Sequence, residues 1–152
     1  MFTLALITIL AATEAAGPPP NIVLVLADDL GYGEMGCFGQ DIIPTPSIDA
    51  IARDGALMTA HWCGSPVCAP SRCVLLTGKH PGHAVVRGNW ENAAWGDDQP
   101  EGNYPLPLAE VTMGEVLKDA GYATSFVGKW GNGGPGTQGH PNRQGFDHFY
   151  GY

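Results

Sequence analysis

Two acidic side chains, Asp28 and Asp29, stand side by side directly after an apolar stretch of the sequence. No basic residue lies near them in the chain, so their negative charges would repel each other unless a cation neutralised them. Carboxylate oxygens are the ligands that hard cations prefer. The pair therefore predicts a calcium or magnesium site. The alternative is that one carboxylate caps a turn in the glycine-rich segment that follows.

A second chemical feature is Cys68, which is followed by Pro70 and Arg72. Proline pre-sets the first turn of a helix, so Cys68 is predicted to lie just outside a helix N-terminus, where exposed N–H groups and the dipole favour an anion. Arg72 follows one turn later and can reach back to the same place. Metal, helix end and guanidinium together predict a positively charged site for an anion.

The segment around Cys68 resembles the signature of the formylglycine-dependent sulfatases. Residues 66–78 read PVCAPSRCVLLTG, which matches that family's C-x-P-S-R, two further residues, two apolar residues and T-G. The resemblance covers nearly everything after residue 20. It extends to the Asp-Asp-Leu-Gly-Tyr-Gly run at 28–33, Thr45-Pro46, Ile48-Asp49, Gly121-Tyr122 and Gly128-Lys129-Trp130.

The resemblance implies a chemical role for each matching residue. Cys68 would be converted to formylglycine (3-oxoalanine) by a formylglycine-generating enzyme, and its hydrated aldehyde would attack sulfur with one hydroxyl and expel sulfate with the other. Arg72 and Lys129 would complete the catalytic set, and Lys129 would contact the sulfate. Asp28, Asp29 and the modified Cys68 would bind calcium or magnesium.

These residues also have interpretations that need no sulfatase activity. Cys68 could be a buried structural cysteine. A cysteine phosphatase would need its arginine further from the cysteine than Arg72 is. Lys129 could be a solvated loop lysine, although a parallel sheet would place it near Asp28 because both follow strands.

One position departs from the family pattern, which usually continues Lys-Trp-His where this chain has Gly131. A histidine that would contact the nucleophile or the substrate is therefore absent from its expected place. Of the five histidines, His61 is predicted in a strand and the other four in loops. His140 is the best candidate to replace the missing ring because it follows Lys129 most closely.

The elements that would position these residues alternate between strands and helices. Apolar β-branched runs predict strands, apolar stripes at helical spacing predict helices, and Thr112 with Glu115 forms a capping box. This order predicts a doubly wound, mainly parallel α/β sheet, which the resemblance identifies as alkaline-phosphatase-like. The predicted elements are strand 21–27, helix 46–54 between Thr45 and Gly55, strand 56–62, helix 70–76 before Gly78, a long surface excursion at 79–107, helix 113–120 and strand 122–127.

Bulk properties exclude some partners. The 152 residues carry a formal net charge of -8, which would repel nucleic acid and anionic membrane surfaces. The four cysteines, at positions 37, 63, 68 and 73, form no C-x-x-C pair, so an ordinary structural zinc site is not expected. A disulfide would be permitted in an exported protein, but the spacing indicates no pairing.

The N-terminal residues are predicted to be a targeting segment. The apolar run at 2–12 has the length of a signal-peptide core and is too short to span a bilayer, and small residues follow it. The usual positively charged start is missing, and an N-terminal strand is the alternative. We interpret 1–16 as a signal peptide, 17–20 as a linker and 21–152 as the incomplete N-terminal part of a sulfatase catalytic domain. The protein is thus expected to be secreted or periplasmic.

The function predicted from the resemblance is hydrolysis of a sulfate monoester on a sulfated small molecule or glycan. The first rival is a metal-dependent phosphatase or phosphodiesterase of the same superfold, which would use serine or threonine as nucleophile. The second is a truncated, inactive sulfatase-like module that only binds calcium or a sulfated glycan. Because further metal ligands and sulfate contacts are expected beyond Tyr152, residues 1–152 alone are expected not to turn over.

Overall fold

The computed structural model describes residues 17–89 and 104–152. The predicted signal peptide and residues 90–103 of the predicted excursion lie outside the described residues. Among the described residues, no helix is both long and apolar enough to cross a membrane. The elements are α1 Pro46–Asp54, α2 Cys68–Thr77, α3 Met113–Asp119, β1 Ser125–Gly128 and β2 His148–Gly151, with short 3-10 turns at Tyr32–Glu34, Gly36–Phe38 and Pro141–Arg143.

The outer helices agree with the sequence prediction. α1 begins with Pro46 at its first position after Thr45, and it ends at Gly55. α3 begins with the predicted capping box: the Thr112 hydroxyl accepts from the Glu115 N–H at 3.2 Å, and the Glu115 carboxylate accepts from the Thr112 N–H at 2.9 Å. These reciprocal bonds satisfy two N–H groups that a helix start otherwise leaves free.

α2 begins two residues earlier than predicted. Cys68 is its first residue and Val67 is the N-cap, so Cys68 lies within the first turn rather than before it. Pro70 is tolerated there because the first-turn N–H groups have no partner inside the helix, and its missing N–H costs no bond. The helix ends as predicted at Gly78, whose φ of 65° is left-handed and whose N–H donates to the Val74 carbonyl at 2.8 Å.

The sheet confirms an α/β architecture with parallel strands. β1 pairs in parallel with β2, from Ser125 opposite His148 to Gly128 opposite Gly151. β1 is shorter than the strand predicted at 122–127. The prediction that His148 lies in a loop was wrong. Its strand is only four residues long, and its ladder partner is distant in sequence, so no local pattern marks it.

The strands predicted at 21–27 and 56–62 are not formed in the described part of the chain, where the sheet has two strands. His61 therefore lies outside any strand. A strand is defined by hydrogen bonds to a neighbour, and no other described segment pairs with these two runs. Val23 and Val25 are 86% and 85% exposed, so the apolar run at 21–27 is left uncovered by the described residues.

The core lies on both sides of α2. One cluster contains Ala69 and Cys73 of this helix, together with Ala84, Val86 and Leu106. The other contains Leu76 of the same helix, with Trp130 and Phe146. All four cysteines of the chain are free thiols, and burial raises the pKa of Cys73. Because α2 is packed on two sides, Cys68 at its start is carried on a fixed element.

Candidate active site

Asp28 is the centre of the candidate site. Its Oδ2 atom accepts from Arg72 Nη2 at 3.0 Å and from Lys129 Nζ at 3.1 Å. These three residues come from the end of the first apolar run, from the second turn of α2 and from the residue after β1. The structure thus brings together three of the residues that the sequence singled out.

Arg72 connects two walls of the site. Its side chain is 9% exposed, and besides binding Asp28 it donates from Nη1 to the Lys129 carbonyl oxygen at 2.6 Å. A guanidinium holds two such acceptors in a rigid, planar geometry that a lysine cannot reproduce. Arg72 therefore fixes the backbone at Lys129 relative to Asp28, in addition to supplying positive charge.

The position of Lys129 is set by its neighbour Trp130. The indole is 1% exposed, donates from Nε1 to the Gly139 carbonyl at 2.7 Å and meets Phe126 edge-on at a ring-centroid distance of 5.0 Å. The Trp130 N–H also donates to the Tyr152 carbonyl at 2.9 Å. Lys129 follows a strand and precedes a core anchor, so its ammonium reaches Asp28 from a fixed backbone while 34% of its side chain stays exposed.

Cys68 has a partner that the sequence interpretation missed. Asn89 Nδ2 donates to Cys68 Sγ at 2.9 Å, and Asn89 Oδ1 accepts from the Ala69 N–H at 2.9 Å. Asn89 lies in the predicted surface excursion, where no periodicity points to any individual residue. The only sequence signal was the length of that loop, since long loops often carry function.

The surroundings of Cys68 favour its anionic form. Burial by itself would raise the pKa of the thiol, but the hydrogen bond from Asn89, the charge of Lys129 and the N–H of Ala69 outweigh burial, and the pKa is lowered. The hydrogen bond to Asp28 raises the pKa of Lys129, and the negative charge of Cys68 adds to that effect. The cluster therefore stabilises negative charge at position 68 and positive charge at 129.

Asp28 and Asp29 behave as a pair of interacting carboxyls. A hydrogen bond from Asp29, followed by that from Lys129, lowers the pKa of Asp28, while the hydrogen bond to Asp28 and its charge raise the pKa of Asp29. Two carboxylates this close disfavour simultaneous ionisation unless a cation lies beside them. Their oxygens fit a hard cation, whereas the thiol of Cys68 is a soft ligand and would fit only once replaced by oxygen.

These residues line one open cavity of about 570 Å³, a size within the range of small-molecule sites. Asp28, Asp29, Cys68 and Arg72 lie on its wall together with His61. In the described part of the chain, no three His, Cys, Asp or Glu side chains converge as a ready set of metal ligands. The described residues therefore offer a partial ligand set, with the two carboxylates as its clearest members.

His140 makes structural contacts. It caps the 3-10 turn Pro141–Arg143, with Nδ1 accepting from the Asn142 N–H at 3.3 Å, and its ring meets Phe149 edge-on at 5.4 Å. Neither of these contacts involves Cys68. The idea that His140 replaces the missing histidine stays a prediction. Gly131 has a φ of 73°, a left-handed conformation that glycine adopts more readily than histidine.

Comparison with known proteins gives a consistent result. The family model described as Sulfatase matches residues 20–152. The steryl-sulfatase of Mus musculus is 40% identical over 157 aligned residues, covering 98% of this chain and 25% of the mouse protein. Arylsulfatase A of Homo sapiens is 43% identical over 147 residues, covering 96% of this chain and 28% of the human protein. The chain thus spans about a quarter of the length of these curated relatives.

Solved structures agree in both backbone and sequence. The crystal structure of Ps i-CgsB matches with a TM-score of 0.77 and 35% identity, over 88% of this chain and 28% of that chain. A second structure of Ps i-CgsB, in complex with k-i-k-neocarrahexaose, matches with a TM-score of 0.67 and 31% identity, over 82% of this chain and 26% of that chain. This likeness confirms the predicted alkaline-phosphatase-like α/β fold class.

Proposed function

Since this chain belongs to the sulfatase family, we propose that the cluster around Cys68 and Asp28 is the nucleophile site of a sulfuric ester hydrolase that cleaves a sulfate monoester. The observation that carries the proposal is the convergence of Arg72 and Lys129 on Asp28, beside a cysteine at the start of α2. Arg72 and the N-terminus of α2 line the cavity, and Lys129 adjoins it through Asp28. This positive charge suits a singly charged sulfate ester.

The nucleophile would be a modified form of Cys68. A formylglycine-generating enzyme would break the Cβ–S bond and one Cβ–H bond of Cys68 and form a C=O bond, with oxygen entering at the oxidation level of water. The Cβ atom loses two electrons to an acceptor such as dioxygen, and sulfur leaves as hydrogen sulfide. One hydroxyl of the hydrated aldehyde would then attack sulfur, which breaks the ester S–O bond and releases the alcohol. The second hydroxyl would lose its proton and expel sulfate as the C=O bond reforms. A cysteine thiol offers no such second step, because its sulfated form carries no second hydroxyl that could expel sulfate, and the covalent intermediate would persist.

Arg72 and Lys129 have different roles in this proposal. Arg72 is nearly buried and is bound through its two terminal nitrogens to the Lys129 carbonyl and to Asp28, while its Nε has no hydrogen-bond partner. We infer that it orients the site and contributes charge. Lys129 is more accessible, and its ammonium is free to turn from Asp28 toward a sulfate oxygen. A lysine ammonium is protonated at neutral pH, as contact with an anionic sulfate requires.

A calcium or magnesium ion would be held by Asp28, Asp29 and the oxygen that replaces the sulfur of Cys68. When bound, it would polarise the sulfate and lower the pKa of the hydroxyl that attacks sulfur. Calcium takes about 6 to 8 oxygen ligands, so three residues supply only part of its coordination. For that reason residues 1–152 produced alone are expected to bind the ion weakly and to be inactive.

The substrate class proposed is a sulfated small molecule or glycan. The relatives include a steryl-sulfatase and a protein crystallised with a carrageenan oligosaccharide, and the open cavity beside Cys68 sets no narrower limit. Secretion or a periplasmic location, with residues 1–16 as signal peptide, is part of the same proposal. Cys68 needs modification in a host that has a formylglycine-generating enzyme.

The proposal is tested with the protein expressed from its complete reading frame in such a host. Peptide mass spectrometry should find the aldehyde at position 68, and the protein should release a chromogenic phenol from its sulfate ester and not from its phosphate ester. Cys68→Ala should abolish release, whereas Cys37→Ala, a thiol outside the cavity, should retain it. Preferential release from the phosphate ester would favour the phosphatase rival. An unmodified thiol without turnover, beside a converted control sulfatase, would contradict the proposal.

A further inference from the structure

We propose that Asn89 is the hydrogen-bond donor that orients the nucleophilic atom of residue 68. The inference rests on the proposed function and adds a residue that the family signature at 66–78 does not contain. It is carried by two hydrogen bonds that the Asn89 amide makes. The amide donates one to Cys68 Sγ and accepts the other from the Ala69 N–H, and each is 2.9 Å long.

The two bonds together determine which way the amide faces. The Ala69 N–H can only donate, so the amide oxygen of Asn89 must face it. The NH₂ group is then directed at Cys68 Sγ, where it can only donate. Asn89 therefore cannot act as a base toward residue 68. It can only stabilise negative charge there, which is the charge that a hydroxyl of the hydrated aldehyde gains when it loses its proton before attack.

The start of α2 explains why an outside residue is needed. The N-cap position is Val67, which has no side-chain acceptor and makes no capping bond. First-turn N–H groups left without partners are costly when sheltered from water, and Ala69 is fully buried. Asn89 supplies the missing acceptor from a distant part of the chain. One amide thus caps the helix and contacts the atom that the helix presents.

The arrangement has a specific consequence for a hydrated aldehyde. Such a group carries two hydroxyls on one carbon, and only one can lie in line for attack. The Asn89 donor, 2.9 Å from Sγ, would hold one of these oxygens. Lys129 interacts with both Asp28 and Cys68 and would act on the site independently. Asn89 would therefore raise the rate of the chemical step without adding to ground-state binding.

The decisive variant is Asn89→Asp, which keeps an oxygen for the Ala69 N–H but replaces the donor by a negative charge. Asn142→Asp is the matched control, since it makes the same change at an amide that donates to main-chain carbonyls of Phe146 and Asp147. In the converted protein from the complete reading frame, Asn89→Asp should lower kcat on an aryl sulfate by about 10- to 100-fold, with KM changed less than about threefold. Asn89→Ala should lower kcat by a smaller factor, because it adds no repulsion.

Conversion of position 68, measured by mass spectrometry in each variant, separates this role from a defect in modification. Asn89 lies outside residues 66–78, so the aldehyde fraction should match that of Asn142→Asp. A kcat within about twofold of the unmutated protein in Asn89→Asp would overturn the inference, since loss of an oriented donor costs more than that. A kcat loss that merely follows a lower aldehyde fraction would overturn it as well.

A second measurement keeps this inference distinct from the proposed function. In a host that leaves Cys68 as a thiol, iodoacetamide should label Cys68 at least about fivefold more slowly at pH 7 in Asn89→Asp, because a donor to the reacting sulfur is replaced by an anion. Asn142→Asp should label at the original rate. If labelling slows here but no aldehyde or sulfatase activity forms in a host that has a formylglycine-generating enzyme, the proposed function fails while the hydrogen bond stands. Equal labelling rates would overturn the inference whatever the enzyme does.

Discussion

Replacing Trp130 tests whether a core residue positions the candidate site. Its indole is 1% exposed, packs against Phe126 and Phe146, and donates to the Gly139 carbonyl at 2.7 Å. Truncating a buried aromatic to alanine ordinarily costs about 3 to 5 kcal/mol. Because a whole domain is stable by only about 5 to 15 kcal/mol, Trp130→Ala is expected to come close to unfolding this region.

Trp130→Phe is the graded form of the same test. It keeps most of the ring but leaves the Gly139 carbonyl without its indole donor, and we expect a loss of about 2 kcal/mol in unfolding free energy. That corresponds to a fall of roughly 4 to 8 °C in Tm for a domain of this size. Trp62→Phe is the control, since Trp62 is 86% exposed and should change stability by less than about 0.5 kcal/mol.

The assay is thermal unfolding followed by near-ultraviolet circular dichroism, with kcat measured on the folded variants. Lys129 adjoins Trp130, so Trp130→Phe should also lower kcat through a displaced ammonium, while Trp62→Phe should leave it unchanged. Equal Tm values for the two phenylalanine variants would refute the reasoning. An unchanged kcat in a clearly destabilised Trp130→Phe would refute the positioning role and leave the packing role in place.

Three further changes have defined outcomes. Thr112→Val should lower the unfolding free energy by about 1 to 3 kcal/mol, because it removes the cap of α3 and a buried hydrogen bond. Urea unfolding should show a much smaller loss for the control Thr59→Val, at an exposed site. The hydrogen bond from Lys118 lowers the pKa of Asp147 from 3.8 to about 2. The stability that this carboxylate contributes above pH 3.8 should therefore be lost as pH falls toward 2. Asp147→Asn should show a flatter plot of Tm against pH in that window. Gly131→His should lower stability by about 1 to 2 kcal/mol because of the left-handed backbone, and a Tm equal to that of the unmutated protein would contradict this.

Local features of the chain made several elements predictable. The sequence predicts the ends of α1, the capping box of α3 and the end of α2 at Gly78, and the structure confirms them. Each depends only on residues that are close together in the sequence. The α/β class followed from the alternation of β-branched runs with helical stripes. Membership of the sulfatase family followed from the signature at 66–78, because the cysteine, proline and arginine of that motif lie within one short stretch of sequence.

Strand formation could not be read in the same way. The runs at 21–27 and 56–62 have strand-like composition, yet they lack a hydrogen-bonded neighbour among the described residues, while the short strand at His148 forms because β1 lies beside it. Side-chain composition indicates whether a segment favours an extended conformation, whereas the hydrogen bonds of a strand depend on a second segment. Strand pairing is therefore a property of tertiary structure.

The same division applies to the candidate site. Sequence alone determined that Asp28, Cys68, Arg72 and Lys129 are chemically competent residue types in a recognisable order. Only the tertiary structure decided that Arg72 and Lys129 converge on one oxygen of Asp28, and that Asn89 reaches Cys68 from a loop. The sequence predicted that Arg72 and Lys129 lie near the site, but the shared oxygen and the approach of Asn89 depend on how packed elements bring distant residues within about 3 Å, a hydrogen-bond distance.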